Sequence, residues 1–163
     1  MNNKPVNLVL KDARILFQNF AGSKKQFNPE GARNFCVVIP DELAPQLMND
    51  GWNIKELKPM EEGLPPTPYL KVNVGFGPYP PTLFMVTNQK TLLDETTVGL
   101  LDASYIVNAD VIISASFYDV NGRSGYTAYI QKGYFEIEQD ELDLKYQDVP
   151  LSQNNNTANT DDF

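Results

Sequence analysis

Along residues 105–137, apolar and polar side chains alternate on either side of Asn121-Gly122. That dipeptide favours a two-residue type I′ hairpin turn, because both of its residues accept positive φ. The turn sets Val120 opposite Arg123, Phe117 opposite Tyr126, Ala115 opposite Ala128, Ile113 opposite Ile130 and Val111 opposite Lys132. This face is mostly apolar and is predicted to pack on a core. The other face carries Ser114, Ser116, Tyr118, Thr127, Tyr129 and Gln131 and is predicted to meet solvent. The phase then reverses, since Ile106, Phe135 and Ile137 fall on the opposite side. A β-bulge at Gly133 accounts for the reversal.

The same alternation locates the other strands. In 69–76, Leu70, Val72, Val74 and Phe76 share a dry face, while Tyr69, Lys71, Asn73 and Gly75 share a wet one. Residues 5–20 predict one long strand bent near Lys11-Asp12-Ala13, and 33–40 predict a central strand apolar on both faces. Further strands are expected at 52–58 and 82–87. Residues 41–50 predict a short helix capped by Asp41, with Leu43 and Leu47 on one face, Pro45 near the first turn and Gly51 as the stop. One or two helical turns are expected in 96–102. Glycine and proline mark loops at 21–31, 59–68 and 77–81. Roughly five to seven strands with so little helix exclude a βαβ sheet. The predicted class is mainly β: an OB-fold-like antiparallel barrel with one short inserted helix and a disordered acidic C-terminal tail. A β-sandwich fits the pattern almost as well.

Charge divides the chain. The net charge is −8 over 163 residues, but the segment from Glu138 onward holds seven acids and one lysine. Residues 1–137 hold fourteen acids and twelve bases, so the body is nearly neutral and its cations are free to form a local patch. We expect a folded domain over 1–138 and a flexible tail over 139–163, whose polar middle buries too little apolar surface to order itself. No apolar run approaches the ~20 residues of a membrane span, so no membrane partner is expected. The single cysteine, Cys36, lies in an apolar run and reads as a core residue of a reducing compartment. There is no histidine and no phosphate-cradling glycine motif. The usual general base, zinc ligand and nucleophile pairings are therefore missing, and no enzyme, metal or cofactor is expected.

Sequence-independent binding of a single strand needs aromatic platforms and cations along a groove. The wet faces offer Tyr69, Lys71, Tyr118 and Tyr129. The loops and hairpin tip offer Lys24, Lys25, Phe27, Tyr79 and Arg123, with Arg33 and Lys55 as further cations. Each also has a plain structural reading. Phe27 fits a loop anchor in the core, Tyr79 fits a ring fixed between prolines, and Tyr129 fits a cross-strand pair. Arg33, Lys55 and Lys58 fit ordinary solubilising charges.

The run LKDARILFQNFAG, continuing through FNPEGARNFCVVIP and DELAPQLMNDGWNIKELKP, resembles a family of bacteriophage and prophage single-stranded DNA-binding proteins. PYLKVNV, KTLLDETTVGLLD and the Asn121-Gly122 hairpin extend the likeness to roughly residues 8–149. The resemblance implies an OB-fold barrel that coats single-stranded DNA during phage replication or recombination, in the cytoplasm of the bacterial host cell. Similar proteins end in an acidic tail closing on phenylalanine that docks other replication proteins. Asp161, Asp162 and Phe163 match that ending, so phage or host replication proteins are the expected partners of the tip. The asparagine-rich middle of the tail departs from the densely acidic pattern. Self-association is left open. The alternative expectation is a virion structural or assembly protein with the tail as an assembly arm. A sugar-binding module with exposed tyrosines is a third.

Overall fold

The computed structural model describes residues 5–139 and Lys145. Its first strand is bent. β1 (Leu8–Ala13) and β2 (Ile15–Asn19) are two halves of one extended segment that turns at Asp12, whose φ is 54°. The turn is held from the opposite strand. The Asp12 N–H donates to the Asp110 carboxylate at 2.8 Å, and Asn108 Nδ2 donates to the Asp12 carboxylate at 3.1 Å. The bend lets one strand serve two neighbours. β1 pairs with β8 (Ile106–Val120), and β2 pairs with β3 (Asn34–Val38).

Those pairings curl the sheet back on itself. Its order is β1-β8-β9-β5-β3-β2, with β5 spanning Thr67–Asn73 and β9 spanning Arg123–Ile137. The two ends of that order are the two halves of the bent strand. Counting them as one strand gives the order first, second, third, fifth, fourth, first, a Greek-key barrel of the oligonucleotide-binding kind. The expectation of purely antiparallel pairing needs one correction. β5 meets β9 in parallel, at Val72 with Ala128 and Asn73 with Tyr129. Beyond it β6 (Thr82–Val86) continues in parallel along β9. β7 (Lys90–Leu93), which the sequence pattern did not reveal, folds back on β6. β4 (Ile54–Leu57) pairs with the first half of β5.

The barrel interior is apolar. Phe20, Phe35 and Phe135 have no solvent exposure and meet at centroid distances of 5.2, 5.3 and 5.8 Å. Burying each ring stabilises the fold by about 1.5–3 kcal/mol. Leu70, Val72, Ile113 and Val111 surround them. Cys36 is buried, as expected of its apolar run.

The hairpin turn is as predicted, with positive φ at Asn121 and Gly122, and the register from Val120–Arg123 back to Ile113–Ile130 holds. The bulge lies elsewhere. Ile113 faces Ile130 but Ile112 faces Lys132, so Gln131 is the extra residue and Val111 faces Gly133 instead of Lys132. Gly133 has a different task, since a Cβ there would lie 2.7 Å from the Phe135 ring and 2.8 Å from Ile130 Cδ1. The helix also differs in detail. α1 spans Ala44–Asn49, its N-cap is Leu43 without a side-chain bond, and Asp41 lies outside it. Ala44 and Leu47 are its buried residues while Leu43 is exposed. A 3-10 helix occupies Val98–Ala103, one residue off the expected turns at its C-terminal end.

Candidate nucleic-acid interface

Register assembles a surface on the outside of the barrel. Across β3 and β5, Val38 faces Tyr69, Cys36 faces Lys71 and Asn34 faces Asn73. Lys55 of β4 faces Tyr69 from the other side, and Tyr129 of β9 faces Asn73. Residues paired across strands share a face of the sheet. Lys55, Tyr69, Lys71, Asn73 and Tyr129 therefore stand together, opposite the buried Leu70 and Val72. Cys36 lies beneath them. Burial pushes its thiol pKa up, although Lys71 and Lys55 pull it the other way.

Two aromatic groups flank this strip. At one end Tyr79, 94% exposed on the loop after β5, joins Tyr129 over a recess of about 370 Å³ that includes Gly75 and Ser114. The Tyr129 ring packs over Gly75, where a Cβ would meet it at an ordinary contact distance of 3.7 Å. At the other end Phe17 meets Tyr69 edge to face, with centroids 6.2 Å apart. Phe17 is 61% exposed and has a φ of 51°, a conformation rare for a bulky residue. It sits in the irregular stretch of the β2–β3 ladder between Leu16 and Asn19. The two residues after Phe17 are pinned. Gln18 Nε2 donates to the carbonyls of Leu101 and Ser104, and Asn19 exchanges two bonds with Ser23. The sequence reading missed Phe17 and Asn73 as site residues. A signal for Phe17 existed in the apolar Phe17 and Phe20 flanking polar Gln18-Asn19, which a regular strand cannot accommodate on one face.

Lys24, Lys25 and Phe27 lie exposed on the β2–β3 loop, and Phe27 at 89% exposure is no core anchor. The base of this loop is fixed. Asn28 Nδ2 donates to the carbonyls of Ser23, Pro29 and Ala32, and Asn34 Nδ2 donates to Asn28 Oδ1 at 2.8 Å. Arg33 belongs to that base. Its Nη1 donates to the Phe20 carbonyl at 2.7 Å and its guanidinium lies over Phe76 at 5.5 Å. Tyr118 and Arg123 stand on the hairpin end, where residues 116–124 are all exposed. The Tyr118 ring covers Gly125, where a Cβ would meet its hydroxyl at 2.9 Å. Phe117, expected on the dry face, extends past the core rim and is exposed, edge-on to Tyr126. Asp161, Asp162 and Phe163 lie outside the described residues.

The arrangement suits flat, anionic polymers. Rings offer faces for stacking, and ammonium groups stand beside them for phosphates. Among the described residues no group of three or more His, Cys, Asp or Glu side chains could hold a metal ion. No helix among them is long and apolar enough to cross a membrane.

A curled β-barrel bearing aromatic and cationic side chains on its outer strands defines a class of oligonucleotide-binding domains. The chain belongs to the family described as "Putative phage ssDNA-binding domain", whose model matches residues 1–162. The fold agrees with solved structures of the single-stranded DNA-binding protein from bacteriophage Enc34. The complex of that protein with ssDNA gives a TM-score of 0.56 at 6% identity, over 82% of this chain and 88% of that one. Its C-terminal truncation gives 0.54 at 8% identity, over 82% and 87%. A third structure of the same protein gives 0.55 at 6% identity, over 88% and 89%. No curated protein matches the chain.

Proposed function

We propose that this protein binds single-stranded DNA without sequence preference and without catalysis, during phage DNA replication or recombination in the cytoplasm of the host cell. The observation that carries this is the strip of Lys55, Tyr69, Lys71 and Tyr129, set on one outer face by strand register. The loop residues Lys24, Lys25 and Phe27, the neighbouring Tyr79, and Tyr118 and Arg123 on the hairpin extend the contact surface. Arg33 acts by holding the loop. The DNA-binding body ends at residue 138, and 139–163 serve as an acidic recruiting arm. Its tip, Asp161, Asp162 and Phe163, presents an aromatic anchor and carboxylates to a basic pocket on a replication protein.

The test is titration with single-stranded and duplex oligonucleotides at several salt concentrations. Binding is expected to favour the single strand, because stacking needs unpaired bases. The log–log salt slope should be about −0.7 per phosphate contact. Equal affinity for both forms would sink the stacking surface, and no binding to either would favour the virion-protein reading. For the arm, full-length protein and a variant lacking 161–163 serve as baits in extract from infected cells. Recovery of the same replication proteins by both baits would show that the tip recruits nothing.

A further inference from the structure

The outer face does not end at Tyr129. β5 and β6 lie end to end along the same edge of β9, so the strip runs on from Asn73 and Tyr129 toward Phe84 and Tyr134. The extra residue Gln131 makes this possible. Were Gln131 paired in regular register, without the bulge it forms, the alternation that points Tyr129 outward would turn Lys132 and Tyr134 inward. With it, Lys132 pairs with Ile112 and Tyr134 with Asp110, on the face opposite the buried Val111 and Phe135.

Here the surface carries a second aromatic and cationic group. Phe84 and Tyr134 stack with centroids 4.8 Å apart and planes 14° from parallel. Lys90 Nζ lies 5.0 Å from the Phe84 centroid and 5.7 Å from that of Tyr134. Lys132 Nζ lies 5.6 Å from the Tyr134 centroid. Two ammonium groups are thus gathered around one ring, and among the described residues no carboxylate forms an ion pair with either. Beside them opens a groove of about 260 Å³, floored by Val9 and Ile112 and walled by Lys11, Lys132 and Tyr134. Asp110, the acid in this groove, already accepts the Asp12 N–H. Like charges held together beside an apolar groove repel one another until an anion enters.

We propose that Phe84, Tyr134, Lys90 and Lys132 form a second binding node for the same DNA strand, reached along β9 from the Tyr129 recess. This rests on the single-stranded DNA reading given above. At roughly 3.3 Å per paired strand residue, Tyr129 and Tyr134 lie roughly 13 Å apart along β9. A short oligonucleotide can therefore fill the first node alone, while a longer one reaches both. Lys90 and Lys132 contact phosphates at the second node, and the groove beside them takes a base or sugar.

The experiment compares the parent with the Lys90→Ala, Lys132→Ala double variant. Both lysines are exposed, so the melting temperature is expected to stay unchanged. Fluorescence anisotropy is read with oligothymidines of about 4 and about 16 nucleotides, the span of site sizes for one such barrel. For the longer probe, the log–log salt slope should become shallower by about 1.4, from two lost contacts at about 0.7 each. For the shorter probe nothing should change. An unchanged slope with the longer probe overturns the second node, and so does an equal loss with both probes. Failure of the parent to bind either probe overturns the underlying reading instead.

Discussion

Phe17 is the residue whose local conformation costs most and whose contacts explain it least. A left-handed backbone at a non-glycine residue costs about 1–2 kcal/mol, yet the ring is 61% exposed and contributes little to the core. Strain of this sort persists where the surroundings impose it and often marks a working position. Phe17→Gly is therefore expected to leave thermal stability level or raise it, while weakening single-strand binding by about 1–3 kcal/mol. A melt and an anisotropy titration of the same sample check both halves. A falling melting temperature with unchanged DNA affinity would make the ring structural. Tyr129 and Ile113 give a second contrast. Tyr129 is 39% exposed and Ile113 is not exposed at all. Tyr129→Ala should lose about 1–3 kcal/mol of binding and little stability. Ile113→Ala should lose about 2–5 kcal/mol of folding free energy, measured by urea denaturation. The reverse pattern would mean that the faces are misassigned.

At the scale of elements, one inserted residue decides what faces outward. Deleting Gln131 removes the bulge and sets Lys132 directly after the buried Ile130, so regular alternation keeps Lys132 outward and Phe135 inward. The deletion is expected to keep cooperative unfolding, and Gln131→Ala should leave the melt nearly unchanged. A deletion variant that fails to fold would refute the bulge assignment. The reversal of phase was legible in the sequence, because Phe135 and Ile137 sit out of step with Ile130 on β9, while Ile106 is out of step with Ile113 through a second irregularity at Val107 of β8. Its position was not. Gly133 is the usual mark of a bulge, but here it clears space for Phe135 and Ile130. β7 was illegible for a similar reason, since only Leu93 of its four residues is buried and no alternation results. The site was half legible. Tyr69, Lys71 and Tyr129 follow from period-two faces, while the approach of Lys55 and Tyr79 to them depends on the long-range pairing of β4 and on the loop after β5. The 3-10 helix has its own anchor in Asp94, whose carboxylate accepts from the Thr96 and Thr97 hydroxyls and amides. The Thr96 and Thr97 hydroxyl bonds are the main causes holding its pKa below the ordinary 3.8. A carboxylate lowered on folding stabilises above its unfolded pKa, and that contribution is lost as pH falls through the folded value. The stability gap between parent and Asp94→Asn should thus be constant near neutrality and close below about pH 4. A gap that persists in acid would assign the effect to hydrogen-bond geometry and not to charge.

For the whole molecule, the bent first strand means that the sheet has no independent halves. β1 lies against β8 and β2 against β3, so the strands of the proposed DNA-binding face are held in curvature by a segment that itself contributes Phe17. That closure also dictates an order of events during folding. The hairpin of β8 and β9 is local and carries its own turn, so it can form on its own within microseconds. β1 has no such option. Leu8 pairs with Ile113, across on the order of a hundred residues of chain, and that separation must be closed before any contact repays it. The strand made first is therefore the strand seated last. Pulsed hydrogen exchange during refolding should protect the amides of Ser114 and Ala128 early and those of Leu8 and Leu10 late. Simultaneous protection of both sets would contradict this order. Until β1 arrives, the outer edge of β8 stands unpaired, and a nascent chain in that interval is open to strand exchange with its neighbours.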